Sequence, residues 1–144
     1  MRQFTNRSRS SLSATLTLTA ILAASTATAA GLDYETYKTK VEPVFLKRRA
    51  GHARCVVCHE ANNSAFRLQP LPEGAKTWTD EQSRKNFENV THLVKPGDPN
   101  GSKLLIHPLA HDGGGDEFHG GGRQFKTKDD PEWKTIADWV NAAK

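Results

Sequence analysis

The sequence predicts an all-α fold, and three observations lead there. Apolar residues recur at helical spacing in several separate stretches, two of the predicted helices open on capping signals, and no alternating apolar and polar run is long enough for a strand. From Leu32 to Arg49, Tyr37, Val41 and Phe45 recur at i, i+4 and i+8, with Tyr34 and Val44 flanking the same stripe, and Pro43 implies a kink or a restart. Residues 60–78 are polar, with Pro70 and Pro72 bracketing Leu71, and read as a loop. Thr79-Asp80-Glu81-Gln82 fits a capping box that opens a helix through Phe87 and Val90. Pro96 to Gly101 then force a turn before Leu104-Leu105-Ile106, a brief helix ended by Pro108. The glycine triplets Gly113–Gly115 and Gly120–Gly122 exclude a helix around Phe118-His119; they lack the strand and the G-K-[ST] continuation of a phosphate loop, so close approach of the backbone to a bound group is the expected use. Asp130 as N-cap, Pro131 at the first helical position and the stripe Trp133, Ile136, Ala137, Val140 predict a packed terminal helix, in which Trp133 and Trp139 serve packing.

The stretch richest in chemistry is Cys55-Val56-Val57-Cys58-His59. C-x-x-C-H is the pattern of covalent haem attachment. Two thiols one helical turn apart reach the two vinyl groups on one porphyrin edge as thioethers, and the next residue turns its imidazole to the iron. Other uses of a Cys pair fit less well. A thioredoxin-like pair needs a βαβ setting, a zinc site needs a second ligand pair where the chain has only two Cys, and a disulfide across so small a loop leaves His59 unexplained. One haem c is therefore the expected cofactor, and its macrocycle would supply the buried apolar surface that a chain of low mean hydropathy lacks.

Residues 1–30 read as a secretory signal. Arg2, Arg7 and Arg9 form a basic start, Leu12 to Ala24 an apolar stretch diluted by Thr, and Ala27-Thr28-Ala29 a cleavage site. The expectation is a periplasmic protein with one domain over residues 31–144 and no transmembrane span after removal of the signal; an uncleaved anchor is the alternative. Three of the 20 basic residues lie in that segment, leaving 17 against 16 acidic ones, so nucleic acid is not expected as a partner. The local cluster of Lys47, Arg48, Arg49 and Arg54 reads either as a solvated helix end or as a docking surface for an acidic redox partner.

A first helix leading into C-x-x-C-H, a loop, two intermediate helices, a further loop and a tryptophan-bearing last helix resembles the class I cytochrome c fold over essentially the whole of residues 31–144. The resemblance implies several helices wrapped around one covalently attached haem, with first and last helices packed together. It implies thioethers at Cys55 and Cys58, His59 as proximal ligand, and a distal ligand from the loop before the last helix. That family usually places a Met there. The only Met of this chain is Met1, so the sixth position falls to a second His or stays open. His119 stands where the family places its Met and is the expected distal ligand. His111, followed by Asp112 as a candidate supporting carboxylate, is the runner-up and His107 the third choice, while His92 reads as a helix-end residue and His52 lies on the proximal approach.

A bis-His haem has no vacant coordination site, so the expected function is single-electron transfer to and from redox partner proteins, not catalysis, at a lower potential than His/Met cytochromes. Arg67, Lys76 and Arg123 are the candidate partners of the haem carboxylates. Two alternatives stand beside this reading: a five-coordinate haem enzyme or sensor for peroxide or a diatomic gas, and a haem subunit of a larger redox complex.

Overall fold

The first helix, α1, runs over residues 34–46 and changes its winding twice. It is α-helical over Tyr34–Thr36, π-helical over Tyr37–Val41 and α-helical again over Glu42–Leu46. In this computed structural model, residues 1, 31–60, 64–116 and 118–143 are described; the remainder of the expected export signal lies outside them. Asp33 caps α1, its carboxylate accepting from the Thr36 amide at 2.7 Å. The widened turns end where Pro43 lacks an amide and its ring would crowd the carbonyl four residues back, which gives the kink expected from sequence a physical form. The helix ends at Leu46, three residues earlier than the sequence stripe suggested.

Three short or medium helices follow. They are α2 (Cys55–His59), α3 (Asp80–Thr91) and α4 (Lys103–Ile106), and the chain closes with α5 (Pro131–Asn141). The capping box of α3 is present in full: Thr79 accepts from the Gln82 amide, and the Gln82 side chain accepts from the Thr79 amide at 3.1 Å. Asp130 caps α5 through the Glu132 amide at 3.0 Å, with Pro131 following it. Among the described residues there is no strand, only one isolated bridge between Leu109 and Phe125, so the architecture is all-α. Among the same described residues no helix is long and apolar enough to cross a membrane.

The first and last helices pack together through aromatic rings. Tyr37 of α1, Phe87 of α3 and Trp139 of α5 have centroids 5.2 to 6.2 Å apart, and all three are buried. The Trp139 indole N–H donates to the Asp33 carbonyl at 2.9 Å, and that of Trp133 to the Leu105 carbonyl at 3.3 Å. Both indoles thus lock helix to neighbouring backbone, in keeping with a packing role. This crossing leaves the C-terminal end of α1 facing α4 and the middle of α5 across a hollow, and the site lies there.

Candidate functional site

The short helix α2 places both thiols and one imidazole within a turn and a half. Val56 turns inward, at 1% exposure, and ties the helix to the core, while Cys58 and Val57 face outward. Cys55 and Cys58 are thiols, not a disulfide, and burial pushes the Cys55 thiol up against the opposing influence of Arg49. The chain returns past His59, the Leu68 amide donating to its carbonyl at 3.0 Å. This return brings the Phe66 carbonyl 2.7 Å and the Ser64 hydroxyl 3.1 Å from His59 Nδ1, and sets the Phe66 ring 4.5 Å from the imidazole. A carbonyl only accepts, so Nδ1 carries the proton and Nε2 keeps its lone pair.

His59 lines a cavity of about 340 Å³. Its walls are mostly apolar: Val44 and Phe45 from α1, Leu104 from α4, Ile136 from α5, and Phe66 and Phe125 from loops. Cys55, Cys58, His107 and His119 stand around the same space. The His119 ring lies 6.2 Å from that of His59, centroid to centroid, with the planes inclined at 32°. Its Nδ1 donates to the Gly122 carbonyl at 2.5 Å, so this imidazole also keeps its Nε2 lone pair. Burial pushes both imidazoles below their ordinary range and outweighs the raising effect of the two carbonyls, which keeps both neutral at neutral pH. Metal–imidazole bonds of about 2 Å, with each ring centre about 1 Å behind its nitrogen, hold two rings about 6 Å apart when both bind one metal from opposite sides. The separation of His59 and His119 suits that bridge.

The loop that carries His119 is pinned at its base by the Leu109–Phe125 bridge, through Ala110 N–H to Phe125 O at 2.8 Å and Phe125 N–H to Pro108 O at 3.1 Å. Within the loop, the Asp116 carboxylate accepts from His107 Nδ1 at 2.7 Å and from Arg123 at 3.3 Å. Arg123 also donates to the Asp116 carbonyl and, at 2.7 Å, to the His107 carbonyl. Desolvation would raise the Asp116 carboxyl, but the hydrogen bonds from His107 and Arg123 outweigh it and hold it below the usual range. The His107 ring meets that of His119 edge-on at 5.0 Å. Gly115 sits so close to the Leu109 carbonyl that any Cβ would collide with it, and Gly113 is 2.7 Å from the Lys126 carbonyl by the same measure. The first glycine triplet therefore serves backbone packing within the loop. Gly121, in the second, lines the cavity, where a Cβ would lie 3.6 Å from the His119 ring and 4.0 Å from Cys58 Sγ.

Of the residues expected from sequence, Cys55, Cys58, His59 and His119 come together on one cavity. His111 does not: it is exposed on the 3₁₀ turn His111–Gly113, and it and Asp112 are absent from the cavity wall. The imidazole beside His119 is His107, and the carboxylate supporting it is Asp116. His92 caps the C-terminus of α3 in solvent and His52 lies in a separate surface hollow. Arg67 and Lys76 are exposed away from the cavity, and Arg123 is engaged by Asp116 and the His107 carbonyl; the cations on the wall are Arg54 and Lys103. The basic cluster is not a uniformly solvated helix end either, since Lys47 pairs with Glu132 and the Arg49 guanidinium is buried.

Comparison with protein-family models, curated proteins and solved structures gives no match for this chain. Its reading rests on the donor set. Among the described residues no group of three or more His, Cys, Asp or Glu side chains could hold a metal ion alone. Two neutral imidazoles with centroids 6.2 Å apart on the wall of an apolar cavity, with thiols on the same wall, suit a planar metallocofactor better than a bare ion.

Proposed function

We propose that this protein is an exported, monohaem c-type cytochrome with a class I-like fold, carrying single electrons between redox partner proteins. One observation carries the reading: the His59 and His119 rings, 6.2 Å apart, each with Nδ1 tied to a backbone carbonyl, across a cavity edged by Cys55 and Cys58. Cys55 and Cys58 would hold the haem as thioethers, and His59 and His119 would hold its iron. When bound, the haem supplies a one-electron ferric/ferrous couple. The chain does the rest. The Phe66 and Gly122 carbonyls fix both imidazoles in the Nδ1–H tautomer and make each a better donor through Nε2. Val44, Phe45, Leu104, Phe125 and Ile136 exclude water, and the Asp116–Arg123 pair holds the distal loop in place. A second imidazole in place of the thioether would favour the ferric state, so the potential would lie below that of His/Met cytochromes. Val57, 50% exposed beside Arg48 and Arg54, and Phe118, 74% exposed and next to His119 in sequence, offer a partner small apolar contacts.

A second reading, a five-coordinate haem that binds peroxide or a gas, draws on His107. That imidazole lines the cavity with Nδ1 held by Asp116, an arrangement suited to an acid or base beside an open coordination site. Expression in cells competent for cytochrome maturation separates the two. The carrier reading expects a covalently coloured protein, low-spin in both oxidation states and indifferent to carbon monoxide. A high-spin ferric form that binds carbon monoxide once reduced supports the second reading, and a colourless exported protein removes both.

A further inference from the structure

Arg49 lies on the segment between α1 and α2, and its guanidinium is turned inward. Nε, Nη1 and Nη2 are all buried, and among the described residues none has a nitrogen or oxygen hydrogen-bond partner, with the Cys55 thiol as their polar neighbour. The guanidinium carbon lies 5.0 Å over the centre of the Phe125 ring, and its charge is felt at the Cys55 thiol. A π face and a thiol are weak neighbours for five N–H donors, and a thioether at Cys55 would be weaker still. A buried cation without an anion costs several kcal/mol in a medium that screens little, so a group left in this state calls for a partner supplied from outside the chain. Its position says where. Phe125 and Cys55 are walls of the main cavity, whereas Arg49 itself lines an adjoining polar hollow with Arg48, His52 and Arg54; Ala53 and Arg54 belong to both. Among the described residues the hollow has no acidic residue in its wall, and Arg48 and Arg54 raise its affinity for anions.

We propose that Arg49 is an anion receptor: its planar fork takes two oxygens of one carboxylate or phosphate at the partition between hollow and cavity. The anion is a free oxyanion entering through the hollow, a source that does not depend on the function proposed above. It sits beside the thiol that edges the cavity, so its charge is coupled to whatever the cavity holds.

The test uses the purified exported protein, wild type, Arg49→Gln and Arg49→Lys, with inorganic phosphate as the probe at constant ionic strength. Calorimetric titration reads binding, and redox titration with and without phosphate reads coupling. The wild type binds one phosphate, Arg49→Gln weakens this at least tenfold and Arg49→Lys less, and the wild-type potential falls as phosphate is added. A wild type that binds no phosphate, or binding that Arg49→Gln leaves unchanged, overturns the proposal. The phosphate titration needs only the wild-type chain, so it decides even if a variant does not fold. A colourless protein would remove the cytochrome reading while leaving the titration intact, and a colourless protein that ignores phosphate removes both.

Discussion

The two imidazoles that face each other across the cavity are held in different ways. His59 is positioned within a few residues of itself: α2 fixes its backbone, and the return through Ser64, Phe66 and Leu68 supplies its hydrogen bonds and its ring contact. His119 sits in a loop with no helix of its own, held by a bridge between Leu109 and Phe125, by the Asp116–Arg123–His107 network and by glycines that let backbone pack on backbone. A locally built ligand is rigid whatever happens elsewhere, whereas a loop-borne one depends on contacts at a distance. On the haem reading proposed above, the His59 side would be the anchor and the His119 side the place where coordination opens.

Removing each imidazole breaks the comparison most directly. His59→Ala strips the Phe66 carbonyl of its donor and the Phe66 ring of its neighbour as well as removing a ligand. It should lower stability by about 1–3 kcal/mol and abolish the low-spin spectrum. His119→Ala should leave stability nearly unchanged yet give a high-spin centre that binds carbon monoxide when reduced. Denaturant unfolding and absorption spectra read the two effects separately, and equal losses of stability in the two variants would contradict the asymmetry.

Asp116→Asn sharpens it. The variant keeps the shape of the side chain but leaves Arg123 without its counter-charge and weakens the bond to His107. Partners of this kind around ligands are worth about 10–100-fold. The fraction of reduced protein that binds carbon monoxide should rise about tenfold, with the His59 side untouched because its partner is a backbone carbonyl. Wild-type behaviour here would mean that the bridge and the glycines alone hold the loop.

The same asymmetry decided what could be read from sequence. The capping residues Thr79, Gln82 and Asp130, the aromatic stripe of α1 and the motif at 55–59 are local signals, because the interactions they specify close within one or two turns. The position of His119 before the last helix points to it in the sequence, and the structure brings it to the cavity. The adjacent Asp112 makes His111 look better supported than His107, whereas the carboxylate that reaches an imidazole is nine residues along from His107, across a fold of the loop. Phe66 and Gly122 act through backbone carbonyls, to which residue type gives no clue, and the inward turn of Arg49 depends on Phe125, a neighbour remote in sequence.

The smallest effect belongs to the contact that joins the end of α1 to the start of α5. Lys47 donates to Glu132, and this hydrogen bond is the main reason the Glu132 carboxyl lies below its ordinary 4.5, with desolvation opposing it. Since the folded value is the lower one, the pair adds stability above the unfolded value and loses it as pH falls through the folded one. The Lys47 side chain is 58% exposed, so screening by water limits the contribution to about 0.2–1 kcal/mol. Glu132→Gln should therefore be slightly less stable than wild type at about pH 7, with the deficit shrinking as pH falls below the ordinary carboxylate range and the folded carboxylate takes up its proton. A deficit that persisted in acid would mean that Glu132 contributes through packing at the start of α5 and not through its charge.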